Sequence, residues 1–340
     1  MPLAPLVIAA VLALAPGAAA AQATITPQDS GVAVRLRGIS AVDADVAWAS
    51  GREGTVLRTT DGGAHWQVIK VPGANELDFR DVEGFDADRA VVLSIGPGEA
   101  SRVYRTDDGG ATWTLVLQNT DARAFFDCMA FERERGWMLG DPVDGRFQVY
   151  ATQDGGRSWT LQTPDMPEAL PDEAAFAASG TCIAAAPWGE RIAVTGGGAA
   201  RVLLGDSGEQ HWFAHGTPMP ARVPAAGIFS ATPVGADMLL VGGDFEHEAT
   251  GSAALAQFVA GEGLQVSPLA DPRGYRSGAA CVGGDAPQCV AVGPTGVDLL
   301  HQGRWEALGD TGYDAVDLAG NTGWASGDQG RIARIEFSAP

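Results

Sequence analysis

Thr59-Thr60-Asp61-Gly62-Gly63-Ala64-His65-Trp66 recurs as Thr106-Asp107-Asp108-Gly109-Gly110-Ala111-Thr112-Trp113 and as Thr152-Gln153-Asp154-Gly155-Gly156-Arg157-Ser158-Trp159. The shared pattern is S/T-x-D-x-G-x-S/T-W, with His65 replacing the second hydroxyl in the first copy. Trp66, Trp113 and Trp159 stand 47 and 46 residues apart. A fixed period of that size marks an array in which each repeat is one supersecondary unit. Decayed copies end at Trp212 and Trp305, 93 residues apart and close to two periods, so one unit between them has lost its tryptophan.

A second marker counts the units. An apolar run ending in glycine, such as Val46 to Gly51, returns at Val91 to Gly96, Trp137 to Gly140, Ile192 to Gly196, Met238 to Gly242, Val290 to Gly293 and Trp324 to Gly327. That makes seven units of about 45 residues each. Within a unit, alternating stretches such as Thr55 to Arg58 and His65 to Ile69 read as half-buried strands joined by the Asp-Gly-Gly turn. Gly63, Gly110 and Gly156 supply the positive φ of that turn, and Asp61, Asp108 and Asp154 accept backbone N–H groups the turn leaves unpaired. Trp66, Trp113 and Trp159 then cap the sheet. No 3.6-residue apolar stripe competes with this strand reading, and the chain carries 46 glycines. The expectation is an all-β, seven-bladed β-propeller. Its last unit, Tyr313 to Phe337, has room for three strands, and the alternating segment Gly31 to Arg37 is expected to supply the fourth and remove two exposed edges.

Residues 1–23 read as an export signal, with an apolar run over Leu3 to Ala15 and an A-x-A site placing cleavage after Ala23. Residues 24–340 are then one propeller domain, expected to be a periplasmic or secreted monomer without a transmembrane anchor. The net charge of −20 repels phosphate backbones and excludes nucleic acid as a partner. Cys281 and Cys289 flank a hairpin turn and suit a cross-strand disulfide. Cys128 and Cys182 begin successive units and stand as a pair or as buried thiols, the latter being favoured. The stretch Thr163 to Ala175 reads as a solvated interblade loop.

Chemistry is expected where the first strand of each blade enters the central channel. Aligning the units places Arg37, Arg80, Phe126, Arg276 and Asp314 in corresponding positions there, with Asp81, Asp127 and Ser277 adjacent and Tyr275 and Tyr313 close by. Converging arginines would make an anion or carboxylate site. The alternative is that they pair with Asp81, Asp127 and Asp314 around the rim. Asp141-Pro142-Val143-Asp144-Gly145-Arg146 and Asp244 to Glu248 carry ligand-type residues, yet read as a tight turn and a solvated acidic loop. No catalytic residue, metal site or cofactor motif is expected.

Asp-box units in an exported seven-bladed ring resemble the photosystem II stability and assembly factor family of BNR-repeat propellers. The phrases Val56 to Gly63, Phe125 to Phe131, Asp141 to Phe147, Ala174 to Thr181 and Gly274 to Ser277 are similar to a proteobacterial branch often labelled "oxidoreductase". The resemblance spans residues 24 to 340. It implies a non-enzymatic scaffold that binds an envelope protein or a small anionic ligand near an arginine-rich patch and assists the assembly or stability of an envelope complex. Arg37, Arg80 and Arg276 are its suggested counterparts by position. No dinucleotide fingerprint, haem or flavin motif supports the oxidoreductase label. Asp-boxes also occur in sialidases, so the competing reading is a glycosidase using Arg37, Arg80 and Arg276 with Tyr313 or Tyr275, Glu173 and Asp81.

Overall fold

A computed structural model describes residues 23–206, 210–283 and 287–338 of the chain. Seven antiparallel sheets follow one another around a ring, with inner strands Leu36–Ala41, Asp78–Gly84, Phe126–Glu132, Ile183–Ala185, Ala226–Val234, Gly278–Val282 and Ala315–Ala319. Among the described residues the only helical elements are the two 3₁₀ turns Gly98–Ala100 and Asp328–Gly330. The apolar runs ending in glycine form second strands, where Trp48, Trp137 and Trp324 are fully buried between blades. Burying one such side chain contributes roughly 1.5–3 kcal/mol.

The ring closes by its termini, but with a different segment from the one expected. Ala23–Gln28 is the fourth strand of blade 7 and pairs with Ile332–Phe337 from Ala23 opposite Phe337 to Gln28 opposite Ile332. Residues 31–35 form no strand, and Leu36 and Arg37 already belong to blade 1. Local alternation misled because Val32 and Val34 pack into the core between blades 1 and 7 without laddering. Gln28 is the latch: its Oε1 accepts the indole N–H of Trp66 at 3.2 Å and of Trp324 at 3.1 Å, while its amide donates to the Gly62 carbonyl at 3.0 Å. The expected leader lies outside the described residues up to residue 22, and Ala23 opens the closing strand.

Each Asp-box turn is tied by its own side chains. Asp61 Oδ1 accepts the Thr59 hydroxyl and the His65 N–H, and the Gly63 N–H donates to Thr59 Oγ1 at 2.9 Å. Asp108 and Asp154 repeat the set with Thr106, Thr112 and Gly110, and with Thr152, Ser158 and Gly156. The tryptophans cap the seams between sheets, and Trp159 also stands edge-on to Phe131 of its own blade at 5.7 Å. Trp66 meets Trp324 of blade 7 edge-on at 6.5 Å, and Trp113 and Trp159 pack into the cores of blades 1 and 2. An arginine of the preceding blade answers in two cases: Arg334 donates to the Gly62 carbonyl at 2.8 Å, and Arg105 donates to the Gly155 carbonyl. The repeat motif is therefore an interblade fastener.

Cys128 and Cys182 form a disulfide between the inner regions of blades 3 and 4, rather than remaining as thiols. Cys281 and Cys289 are bonded across the first two strands of blade 6. The stretch after Thr163 is a largely exposed loop only as far as Asp172. Glu173–Ala174 adds to the sheet of blade 5 through Gly196–Gly197, and the fully buried Glu173 carboxylate takes the Arg201 guanidinium at 2.5 and 2.8 Å and the Thr195 hydroxyl at 2.6 Å. A Cβ at Gly196 would lie 2.0 Å from the Phe176 ring, so glycine there lets the inserted segment lie directly on the blade.

Candidate functional site

One irregularity recurs on the inner strands. The pairing with the second strand slips between Leu36 and Gly38, Phe79 and Asp81, Phe126 and Cys128, and Ile228 and Ser230. The residue left out of register is Arg37, Arg80, Asp127 or Phe229, and all four line one cavity of about 540 Å³ at the entry of the channel. A bulge re-aims one side chain while its neighbours keep the ladder. Leu36, Phe79, Phe126 and Ile228, each one residue earlier, turn into the core.

Blades 6 and 7 reach the cavity without a bulge, from the residue just before the inner strand: Ser277 and Asp314 line it, while Arg276 and Tyr313 are turned away and buried. The alignment from sequence was thus one residue off in blades 3 and 6, and in a strand that slip sends a side chain to the opposite face. Arg276, fully buried, binds Asp298 through Nη2 at 2.5 Å and Nε at 3.0 Å and donates to Thr295 at 2.8 Å. It holds blade 6 together and does not reach the cavity. Tyr313 lines a neighbouring cleft of about 210 Å³ with Arg35 and Arg331. Asp81, next to the bulge, points down the channel; its Oδ2 accepts the Met129 N–H of blade 3 at 2.7 Å. Tyr275 does reach the cavity.

The cations of the cavity are unequally satisfied. Arg35, missed from the sequence, closes on Asp314 with bonds of 2.8 and 2.6 Å. Arg80 binds Asp78 at 3.1 Å and donates to the Ala177 carbonyl at 2.7 Å. The Ser277 hydroxyl is taken up by the Asp314 carbonyl at 2.7 Å. Arg37 makes no hydrogen bond among the described residues and only a loose ion pair. It is 8 % exposed, its nearest carboxylate oxygen is Asp314 Oδ1 at 3.9 Å, and its Nε has no hydrogen-bond partner among the described residues. Burial, and then the neighbouring Arg80 charge, lowers its pKa to about 10.

Two carboxyl groups face these arginines. Burial, with Asp141 adding to it, pushes Asp127 well above the usual carboxylate range, and Asp127 Oδ2 is unpartnered. Burial raises Asp141 to about 6, against one hydrogen bond from the Ala175 N–H at 3.0 Å. Burial also raises the Tyr275 phenol.

The remaining wall is aromatic and was not legible as such. Phe176, carried in by the inserted segment, stacks flat on Phe229 with centroids 4.0 Å apart, and Phe245 stands edge-on to both at 6.3 and 6.2 Å. Tyr275 meets Phe229 at 4.7 Å. Two of these, Phe176 and Phe245, lie outside the inner strands, which is why strand alignment overlooked them.

Other candidates from the sequence settle elsewhere. Asp144 sits in a turn at φ 53° and pairs with Arg123 at 2.7 Å. Asp244 binds the ring and backbone of His247 within its own loop. No group of three or more metal-ligating side chains occurs among the described residues. The sialidase-like set is not brought together: Glu173 is bound to Arg201, Arg276 to Asp298, and Asp81 lies below the cavity.

Sheets fastened by Asp-boxes around a channel, with a bulge-built pocket at one end, define a BNR-repeat seven-bladed propeller. The family model described as photosynthesis system II assembly factor YCF48 matches residues 19–258, and the chain belongs to that family. Among solved structures it is similar to "YCF48 bound to D1 peptide" at 14% identity and TM-score 0.63, covering 95% of this chain and 97% of that one. It is similar to YCF48 from Cyanidioschyzon merolae at 15% identity and TM-score 0.64, covering 92% and 99%. It is similar as well to a streptogramin B lyase at 10% identity and TM-score 0.65, covering 93% and 98%. These identities show the fold alone. No curated protein sequence matches the chain.

Proposed function

We propose that this protein is an exported, non-enzymatic scaffold whose channel-entry cavity captures an anionic group of an envelope protein or a small ligand, assisting the assembly or stability of an envelope complex. One observation carries the reading: Arg37 is a buried guanidinium with unused donors facing the cavity. A buried cation whose nearest carboxylate stands 3.9 Å away is poorly compensated, a cost that an incoming anion offsets. Arg80 and Tyr275 flank it, Arg35 and Asp314 frame it, and Asp127 lines the same cavity. Family membership supports a scaffold over an enzyme, and the similar YCF48 structure bound to a D1 peptide makes a protein partner a reasonable occupant. No described helix is long and apolar enough to cross a membrane.

The test is capture from native envelope extract with the purified protein and with Arg37→Gln. A specific partner retained by the native chain and lost by Arg37→Gln supports the reading. Equal capture by both places the interaction away from the cavity and defeats it.

A further inference from the structure

Three observations that the anion reading does not use converge on the chemical class of the occupant. First, half of the cavity wall is apolar and flat: Phe176 lies parallel to Phe229 within 1°, and Phe245 closes the edge while remaining 45% exposed. An exposed phenylalanine rimming a cavity that also holds a buried cation is not required for packing. Second, Tyr275 joins the two halves. Its ring sits against Phe229, its hydroxyl has no hydrogen-bond partner among the described residues, and after burial the Arg37 charge is the largest influence on it. The hydroxyl is therefore open to the cavity and free to bond an occupant. Third, the fixed charges limit the anion. Arg35 and Arg80 are already paired, and Asp141, Glu248 and Asp314 share the lining, so a dianion would meet carboxylates on several sides.

Resting on the anion reading of the same cavity, we infer that its occupant is a monocarboxylate carried on an aromatic or flat apolar group, the carboxylate on Arg37 and the Tyr275 hydroxyl, the apolar body against Phe176, Phe229 and Phe245. A cavity of about 540 Å³ has the size of a small-molecule site. The same chemistry is offered by a free aryl acid and by a chain ending in an aromatic residue. The inserted segment is then a specificity element: the Glu173–Arg201 pair anchors it, and the Arg80 bond to Ala177 sets Phe176 at the wall.

The test measures binding of 3-phenylpropionate, acetate and phenylphosphonate by isothermal calorimetry, with a short peptide ending in phenylalanine and its C-terminal amide as further arms. The expected result is phenylpropionate binding at least about tenfold tighter than acetate, a difference of about 1.4 kcal/mol, with phenylphosphonate weaker than phenylpropionate. The exposed Phe245 allows Phe245→Ala to be made without disturbing the core, and this variant is expected to lose the preference while melting like the native chain. Binding of the free acid, or of the peptide with a free carboxylate but not its amide, identifies the source. Equal affinity for acetate and phenylpropionate, a preference surviving Phe245→Ala, or stronger binding of phenylphosphonate overturns this inference and leaves the anion site standing. Failure of every acid to bind, or binding unaltered by Arg37→Gln, overturns the anion reading as well.

Discussion

Replacing Asp81 by asparagine should change how stability depends on pH. The Asp81 carboxyl is 6 % exposed, accepts the Met129 N–H, and lies in the lower channel with Glu83 and Asp317. Burial first, and the Asp317 charge in addition, raise its pKa to about 8. Burial likewise raises Glu83, and lifts Asp317 to about 6. In the unfolded chain an aspartate ionises near about 3.9, so between roughly pH 4 and 8 the folded state keeps a proton that the unfolded state has released. The stabilisation is complete below the unfolded pKa and is lost as pH rises through the folded one, at about 1.4 kcal/mol per pH unit and on the order of 5 kcal/mol in all. Asparagine cannot ionise and retains an oxygen for the Met129 N–H. Denaturant unfolding of Asp81→Asn and the native chain from pH 4.5 to 8.5 should give similar stabilities at the acid end and a variant several kcal/mol more stable at the alkaline end. Parallel curves, or a variant weaker at pH 8, would show that Asp81 is ionised in the fold and that the buried-acid account of the channel is wrong.

Removing the latch in Gln28→Ala strips the acceptor from the indoles of Trp66 and Trp324 and should cost about 2–4 kcal/mol, read as a lowered Tm. The Cys128–Cys182 bond closes 54 residues and Cys281–Cys289 only 8, so chain-entropy arithmetic gives about 4 against about 2.5 kcal/mol, and the double alanine variant of the first pair should melt lower. Arg37→Met should stabilise the free protein by about 1–2 kcal/mol because it removes a buried charge that has no hydrogen bond among the described residues and only a 3.9 Å ion pair to Asp314, which Arg35 still binds, whereas Arg276→Met should destabilise it by about 3 kcal/mol or more by stranding Asp298. Urea titrations of the two variants that move in the same direction would contradict this division of roles.

The sequence determined the ring by itself because its signals are local and repeated. The Asp-box needs only a hydroxyl two residues before the aspartate, a glycine two after it and a donor four after it, and all of these bonds form within the turn. The count of seven followed from the glycine-ended second strands, whose tryptophans and valines are the interblade cores. Only the tertiary structure decided which side chains share the cavity. Whether Phe126 or Asp127 faces the channel depends on a one-residue bulge that leaves composition and alternation unchanged, and Arg276 is turned away by its pairing with Asp298. The closing strand depended on pairing across more than three hundred residues, where Ala23 meets Phe337. The aromatic wall depended on an insertion whose place is fixed by a buried ion pair and by glycines that permit contact. Periodicity is written along the chain, whereas the direction a side chain takes at an irregularity is set by neighbours distant in sequence.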